Sequence, residues 1–554
     1  MPAVVGRAVN RTGRPPIPPP GVLPAAFALC LPLAFLAVFL LLPLLALAER
    51  SLFDNGAFTG LACFQKFLAT PGLTAAFIHT LVMGGTVTAF TLTLALTLAY
   101  ALTHTRMAGL AACRAVAQLP LFVPSLFPAL GLIYLFGSQG IISGWLGDIP
   151  LYGPLGIVLG SIIYTLPHAL LPLMAALREI DADLYLASRT LGAGPWRRFR
   201  TITLPGARYG LVSSGIVVFV LTITDFGVPK VLGGDYAMLA TEIFKQVVGL
   251  QDFAMGATVS IVLLLPCIPA FLIDGWVRRK QRHQWRGRPY TPEPHPRRDK
   301  AFTLLGWAVP ALPLAVIAMV VWGSFISFWP YELDLTLANY TFENSVYGAA
   351  PFFHSLALAT ATTVLGVTLV FSGAYLAQRA PMPPVLPQTY RLLALLPLAV
   401  PGTVLGLAYI LAFNTADSPM QSIYGSIPFL ACNCVVHFYT VCHFTAAGGL
   451  ARLDPHYETA GATLGVSRIR TFFRVVAPMQ KESILDMGFY FFVNALTTIS
   501  AVVFLYAPEN MPASVAVLQM LDSGATAQAS AMGTLILAAA LCARGIQSFA
   551  TRKK

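Results

Sequence analysis

Charge is the scarcest property of this chain: Asp, Glu, Lys and Arg together make up 10% of its 554 residues. Soluble domains carry about 25% charged residues, and 56% of this chain is hydrophobic. Most of the chain is therefore expected to lie in a lipid bilayer. The formal net charge of +12 falls in short segments between apolar runs, where basic residues orient membrane helices, so nucleic acid is not an expected partner.

The sequence also contains no Gly-Lys dipeptide, and a P-loop that holds ATP phosphates requires one. An ATPase site and a bound cofactor are therefore not expected in this chain. Its eight cysteines lie mostly inside apolar runs, which is typical of small buried packing residues rather than of a disulfide framework. Five Cys and His residues share one apolar run, but their spacing fits no zinc pattern and no metal site is predicted: Cys432, Cys434, His437, Cys442 and His443.

Apolar runs long enough to span a membrane, which takes about 20 residues, recur along the whole chain. Twelve such runs are present, at 22–48, 75–103, 115–136, 155–177, 208–228, 253–277, 302–328, 352–378, 392–413, 426–449, 486–507 and 529–548. The first run exceeds the core of a signal peptide, which has about 7–15 residues. We expect it to remain as an uncleaved first helix.

Lys and Arg are distributed unequally between the segments that join these runs. The segments 329–350 and 507–528 contain neither residue, whereas the alternate segments, such as 278–300, are basic. Because cytoplasmic loops of membrane proteins are enriched in Lys and Arg, both chain termini are expected in the cytoplasm.

The two halves of the chain repeat one another at an offset of 273–277 residues, as in the pairs His79 and His354, Pro120 and Pro397, and Met255 and Met532. Six runs separate the copies, so the repeat is parallel rather than inverted. The sequence predicts an all-α polytopic membrane protein with about twelve transmembrane helices in two six-helix repeats. The predicted divisions are a cytoplasmic tail 1–21, a first repeat 22–277, a basic, proline-rich cytoplasmic linker 278–300, a second repeat 301–549 and a cytoplasmic tail 550–554. The linker is expected to be a solvated tether that also touches anionic lipid.

A polar loop occurs once in each half: the first loop is residues 181–205 and the second loop is residues 454–478. In each, an Asp is expected to begin a short helix, and a glycine, Gly192 or Gly465, is expected to end it in a left-handed conformation. A second short helix should follow and stop at Pro205 or Pro478. Basic side chains surround it, and the spacing from glycine to proline is identical in the two loops.

The loops resemble the cytoplasmic loop of ABC importer permeases, in which Glu-Ala-Ala precedes a glycine and, further on, an Ile and a Leu-Pro. The first loop matches at Leu186-Ala187-Ser188, Gly192, Ile202 and Leu204-Pro205. The second matches more loosely, at Thr459-Ala460-Gly461, Gly465, Val475 and Ala477-Pro478, with Glu458 one place early. The chain is thus similar to MetI-like, binding-protein-dependent permeases with both halves fused.

This resemblance implies that each loop fits a groove on one of two separate ATP-binding cassette subunits, which hold ATP and Mg and hydrolyse the nucleotide. It also implies a periplasmic binding protein that delivers a small solute, and a place in the bacterial inner membrane. The residues expected at the docking loops are Leu186, Ala187, Ser188, Gly192, Pro205, Glu458, Thr459, Ala460, Gly465 and Pro478.

Within this family, four segments resemble 2-aminoethylphosphonate permeases: 224–230, 240–247, 255–257 and 499–506. Similarity to ferric iron and thiamine permeases leaves those substrates as alternatives. Asp225 and Lys230 lie near the outer end of a predicted helix. Either they line the substrate path or they face water in an outer loop. Asn494 and Ser500 either line the path as well or bridge helices by hydrogen bonds.

Two other classes of protein compete with this interpretation. An ion-coupled secondary transporter with twelve helices would normally carry ionisable residues in mid-helix, and the runs here are nearly free of them. A structural or sensory membrane protein has no use for a doubled loop.

Overall fold

The computed structural model describes residues 22–54, 57–146, 150–281, 288, 290–342, 346, 348–415 and 418–552. The predicted tail 1–21, the middle of the predicted linker and the last two residues lie outside the described residues.

Helices make up nearly all of the first half. They are α1 Val22–Leu36, α2 Leu42–Leu52, α3 Ala62–Ala69, α4 Pro71–His104, α5 Leu110–Ala117, α6 Leu126–Phe136, α7 Pro154–Arg178, α8 Ala182–Thr190, α9 Pro195–Arg198, α10 Leu204–Gly206, α11 Arg208–Thr224, α12 Gly227–Leu232, α13 Leu239–Phe244 and α14 Phe253–Gln281. Single π-helical turns lie at Ala37–Leu41, Phe199–Thr203 and Lys245–Gly249, and 3₁₀ turns at Leu119–Phe122 and Ser143–Leu146.

The second half follows a similar order. Its helices are α15 Pro296–Gly323, α16 Ala350–Arg379, α17 Val385–Leu395, α18 Gly402–Phe413, α19 Ile427–Arg452, α20 His456–Thr463, α21 Arg468–Thr471, α22 Ala477–Met479, α23 Lys481–Thr497, α24 Ala513–Asp522 and α25 Thr526–Arg552. A π-helical turn lies at Phe472–Val476, and 3₁₀ turns at Ala338–Tyr340, Leu396–Ala399, Gln421–Ile423 and Pro508–Asn510. Two small antiparallel ribbons pair β1 Phe53–Asp54 with β2 Ala57–Phe58, and β3 Ile326–Phe328 with β4 Glu332–Leu335.

The all-α polytopic architecture predicted from the sequence is confirmed. Among the described residues, eight helices are long and apolar enough to cross a membrane, or up to ten if each of two bent pairs forms one span. The predicted number was twelve, and the difference arises where an apolar run does not form one long helix. Prolines interrupt 115–136 and 392–413, because proline lacks the amide hydrogen and clashes with the preceding turn; the bend between 385–399 and 402–413 is 113°.

Threonine is tolerated inside the spans because its hydroxyl finds a partner on its own helix. In α4, the hydroxyls of Thr80, Thr88 and Thr93 each donate to the carbonyl oxygen four residues earlier, at 2.6–2.8 Å. Lipid offers no hydrogen-bond partner, so this local bond removes most of the penalty of a polar side chain at membrane depth.

The first helix of each half packs against the other half. Helix α1 packs against α16 and α17, and α2 against α18, while α15 packs against α4, α5 and α6. Trp307 of α15 donates its indole N–H to the Ala108 carbonyl at 3.2 Å. The first helix of each half therefore crosses over to contact the other half, so the two halves do not simply lie side by side.

The halves also meet along a seam formed by α25 and α14 with α6 and α18, which contains the matched glycines Gly533 and Gly256. A Cβ on Gly533 of α25 would lie 2.6 Å from the ring of Phe127 on α6. A Cβ on Gly256 of α14 would lie 2.6 Å from Val247 of its own half and at an ordinary contact distance of 3.5 Å from Leu407 on α18. The Tyr134 hydroxyl also bonds the Ser530 hydroxyl across this seam, at 3.0 Å. Small residues at helix crossings permit such close approach in membranes.

Candidate functional site

The first short helix of the first loop, α8, begins and ends as its sequence predicts. The Asp181 carboxylate accepts the Asp183 N–H at 3.0 Å and caps α8. Gly192 follows the helix with φ of +70°. The Gly192 N–H bonds the Arg189 carbonyl and the Ala193 N–H bonds the Ser188 carbonyl, both at 2.9 Å. This pair of bonds is a Schellman motif, which satisfies the last carbonyls of a helix.

The second loop repeats this geometry. Asp454 accepts the His456 N–H at 2.9 Å at the start of α20, and Gly465 has φ of +71°. The Gly465 N–H bonds the Ala462 carbonyl at 3.1 Å and the Val466 N–H bonds the Gly461 carbonyl at 2.9 Å. Two segments of different sequence thus adopt one backbone conformation.

The two prolines do not stop the second short helix, contrary to the sequence-based expectation. Pro205 and Pro478 occupy the second position of α10 and α22, and the chain stays helical for one further residue. A π-helical turn precedes each proline, with the Leu204 N–H bonding the Phe199 carbonyl five residues back. Because proline cannot donate to the carbonyl four residues earlier, the widened turn accommodates the missing bond. The axis then bends by 64° before α11.

Both loops expose apolar side chains at matched positions. Leu191 is 83% exposed and Trp196 72%, and in the second loop Leu464 is 80% and Ile469 73% exposed. Single exposed apolar residues are ordinary, but two equivalent clusters are typical of a surface that a partner covers. Of the predicted docking residues, most are exposed; Ser188 is buried and bonds the Tyr185 carbonyl at 2.7 Å, and Glu458 is partly buried.

The Glu458 side chain is directed toward Arg379 at the end of α16 instead of toward the exposed face of its loop. Its carboxylate lies 3.4 Å from the Arg379 guanidinium, and the two side chains are 17% and 11% exposed. Arg379 also donates to the Leu450 and Leu453 carbonyls at 2.5 Å. Burial raises the pKa of Glu458, and the nearby Arg379 and Arg468 offset only part of that increase.

The end of the predicted linker packs on the first loop instead of forming a solvated tether. The Ala182 N–H bonds the Arg288 carbonyl at 2.9 Å, and Glu293 pairs with Arg189 at 2.5 Å. The Tyr290 ring stacks on His104 with 5.0 Å between centroids. Helices α14 and α15 also take up both ends of the predicted linker. The sequence signal for this contact was the aromatic Tyr290 within a basic, proline-rich stretch.

Asp225 and Lys230 lie close in sequence but have different partners. Asp225 is 9% exposed, and its carboxylate accepts the Gly227 and Val228 N–H groups at 3.2 and 3.0 Å. It therefore caps α12 and does not face water. Lys230 lies 3.5 Å from Asp522 at the end of α24, which links the two halves.

Asn494 and Ser500 also have local structural contacts. The Asn494 side-chain amide donates to the Tyr490 carbonyl of its own helix at 2.8 Å. A Cβ on Gly402 would lie 2.4 Å from the Ser500 hydroxyl oxygen, and in the first half a Cβ on Gly227 would lie 2.3 Å from that of Ser125. The same serine–glycine contact thus occurs in both halves with the two residue types swapped: Ser125 corresponds to Gly402, and Gly227 corresponds to Ser500. Asp225, Lys230, Asn494 and Ser500 have four separate sets of partners, and their role in a substrate path stays a prediction.

The Cys and His residues of the 426–449 run lie along α19. In the part of the chain that the structure describes, no group of three or more His, Cys, Asp or Glu side chains is arranged to hold a metal ion.

The first loop lies inside a segment that matches a known protein family. Residues 111–283 match the model of the binding-protein-dependent transport system inner membrane component. The chain is 31% identical over 186 residues to the molybdenum transport system permease protein ModB of Azotobacter vinelandii, covering 32% of this chain and 82% of that protein.

Two further relatives are transport permeases named for other solutes. The chain is 29% identical over 464 residues to the ferric transport system permease protein FbpB of Actinobacillus pleuropneumoniae, covering 79% of this chain and 66% of that protein, just under two thirds of its length. It is 26% identical over 253 residues to a protein named as a 2-aminoethylphosphonate transport system permease, PhnU, of Salmonella typhi, covering 44% of this chain and 88% of that protein. With two matched loops and this set of relatives, the chain belongs to the family of binding-protein-dependent transport system inner membrane components, the permeases of ABC importers.

Proposed function

We propose that this chain is the membrane-spanning subunit of an ATP-driven importer, and that its first and second loops each dock on one ATPase subunit in the cytoplasm. The observation that carries the proposal is the repeated backbone geometry of the loops, with an exposed apolar cluster on each. The ATPase subunits supply ATP and Mg, and a periplasmic binding protein supplies the solute.

A series of helices in packing contact leads from each loop to the seam between the halves. In the first half, α9, the π-helical turn and α10 lead into α11, and α11 packs against α14. Helix α14 carries Gly256 at the seam, and the matched helix α25, which packs against α23, carries Gly533. Approach of two docked ATPase subunits would shift α11 and α23 and separate the halves at this seam.

Aromatic rings lie across the same seam. Phe244 of α13 contacts Phe226 of its own half at 5.1 Å and Phe504 of the other half at 5.7 Å between ring centroids. We expect the contact between Phe244 and Phe504 to break when the seam opens, because rings from opposite halves cannot stay together as the halves part.

Two candidate substrates are each supported by a different observation. Similarity to the ferric permease extends over 79% of this chain, which favours ferric iron. The four segments that resemble 2-aminoethylphosphonate permeases, with relatives such as PhnU, favour 2-aminoethylphosphonate. Thiamine has no comparable observation among these relatives. The charges of Asp225 and Lys230 are engaged by the protein itself, so they do not discriminate between the two.

Docking is tested by placing a charge on both exposed clusters. Leu191→Asp with Leu464→Asp should abolish copurification of the ATPase and ATP-driven uptake while leaving the thermal unfolding midpoint unchanged, since both side chains are solvent-exposed. Val346→Asp, at a residue that is 91% exposed in the segment predicted to lie on the opposite side, is the control and should leave assembly intact. Full assembly and uptake in the double variant would remove the docking proposal.

Substrate choice is tested on vesicles that contain the full transporter. Uptake of radiolabelled ferric iron and of labelled 2-aminoethylphosphonate is measured with the cognate binding protein present. ATP-dependent accumulation of one label, and competition only by the same unlabelled solute, identifies the substrate. Accumulation of neither label would exclude both candidates without affecting the docking proposal.

A further inference from the structure

A groove on the first half is filled by the chain itself. It lies between the end of α4 and the helix α8 of the first loop. The Tyr290 ring occupies it, contacting His104 and Tyr185 with centroid distances of 5.0 and 4.6 Å. Glu293 closes it by pairing with Arg189. These contacts hold the segment before α15 against the first loop.

The equivalent groove on the second half has no such segment among the described residues. At the repeat offset, Arg379 takes the place of His104 and Glu458 takes the place of Tyr185. Here the structure has a cavity of about 660 Å³, lined by residues from the ends of α16 and α19 and from α17, α20 and α21. The repeat thus contains two matched grooves, and the second groove is open.

Guanidinium groups dominate the second groove. Arg379, Arg391 and Arg468 line it together with one carboxylate, that of Glu458. Arg391 donates to the Ala377 carbonyl at 3.1 Å and Arg468 to the Arg379 carbonyl at 3.3 Å. Each guanidinium has five N–H donors, so these bonds leave donors for a ligand. The Glu458 Oε1, which has no hydrogen-bond partner among the described residues, is an acceptor and does not itself contribute to binding an anion. Three arginines against one carboxylate favour an anion.

The position of the second groove favours a lipid over a soluble anion. Arg379 is the last residue of α16, which is long and apolar enough to span a membrane, so the groove lies at the level where a span meets water. On α17, beside the exposed Arg391, Val385 and Leu392 are each 67% exposed. A basic pocket next to an exposed apolar surface matches a phosphate headgroup and its acyl chains.

We propose that the second groove binds the headgroup phosphate of an anionic phospholipid through Arg379, Arg391 and Arg468, with the acyl chains along α17. The proposal rests on the orientation proposed above, with both loops in the cytoplasm, and is independent of the substrate. In the first half, the segment around Tyr290 takes the place of this lipid. The lipid supports the second loop as that segment supports the first.

The proposal is tested by titrating lipids into the purified, delipidated full chain and counting bound molecules by native mass spectrometry. Phosphatidylglycerol should bind more tightly than phosphatidylcholine. Arg391→Gln should weaken phosphatidylglycerol binding about fivefold, and Arg391→Gln with Arg468→Gln roughly 25-fold, because each basic residue near a membrane surface contributes a factor of about five. Arg114→Gln is the matched control, since Arg114 is the equivalent of Arg391 at the repeat offset.

Three results would overturn the proposal. The first is equal phosphatidylglycerol affinity in the wild type and the Arg391→Gln variant, with thermal unfolding midpoints that show both to be folded. The second is an equal loss in Arg114→Gln, which would indicate general surface charge. The third is displacement of the lipid by equimolar inorganic phosphate, which would indicate a soluble phosphate ligand. None of these results depends on ATPase docking, which is measured separately.

Discussion

At the residue scale, Gly192 and Gly465 show how one backbone angle shapes a repeated loop. Both have φ near +70°, and a Cβ at either position would meet nothing within 4 Å. Space therefore does not require glycine at these positions, whereas the left-handed conformation does. This requirement is local, and for that reason the sequence alone predicted it at both sites.

Gly465→Ala should destabilise the protein by about 1 kcal/mol, because an L-residue with a side chain pays that much in the left-handed region. The measurement is the thermal unfolding midpoint in detergent. Gly448→Ala is the control: a Cβ there also meets open space, but the residue lies inside α19, where alanine is favoured. Equal destabilisation by both substitutions would contradict the argument.

Glu458 gives a pH dependence of stability. Its pKa is raised above the ordinary 4.5, so the folded protein binds a proton there more tightly than the unfolded chain does. The partly buried carboxylate's unfavourable contribution to the stability of the folded protein is therefore absent below pH 4.5. This contribution grows as pH rises from 4.5 through the raised pKa. We expect the unfolding midpoint of Glu458→Gln, relative to wild type, to rise over that range.

The control for Glu458→Gln is Glu482→Gln, which removes the charge of an exposed carboxylate at the start of α23. Midpoints of the three proteins are compared between pH 4 and 8. A midpoint of Glu458→Gln that falls relative to the wild-type midpoint as pH rises would show that Arg379 stabilises the carboxylate more than burial destabilises it.

At the scale of elements, the proline-linked π-helical turns join each loop to a span. Pro205→Ala restores an N–H that can donate to the Thr201 carbonyl, so the turn should close to an α-helical one. Because a proline inside a helix costs about 3 kcal/mol, stability should rise by up to that amount, while the loop rotates relative to α11 and ATP-driven uptake falls.

Pro195→Ala is the control for this change, since Pro195 is the first residue of α9, where a missing N–H costs little. Unfolding midpoints and uptake are measured for both variants and for Pro478→Ala, the matched change in the second loop. Undiminished uptake in Pro205→Ala and Pro478→Ala would show that the widened turns do not set the loop position.

At the scale of the whole molecule, the seam between the halves depends on close packing at Gly533. Gly533→Ala places a Cβ 2.6 Å from the Phe127 ring, and such overpacking costs about 1–3 kcal/mol. We expect a lower unfolding midpoint and reduced uptake. Phe127→Leu should relieve the clash in the double variant, so the two changes should not be additive.

Gly545→Ala, on the same helix with nothing within 4 Å of its Cβ, is the control for the loss of a glycine. The prediction is contradicted if Gly533→Ala and Gly545→Ala have equal effects on the midpoint, or if Phe127→Leu does not rescue Gly533→Ala. Either result would show that close packing at Gly533 does not stabilise the contact between the halves.

The sequence by itself determined the membrane environment, the repeated loops, the left-handed glycines and the family, because composition, backbone conformation and short motifs are local properties. Only the tertiary structure decided which helices cross over to contact the other half, that Tyr290 packs on the first loop, that Glu458 is directed toward Arg379, and that Asp225 caps α12. Except for the cap, these features join residues distant in sequence, so long-range packing selects them. The cap is local, but an Asp before a helix is equally compatible with a buried cap and with a solvated loop, and only the surrounding packing distinguishes the two.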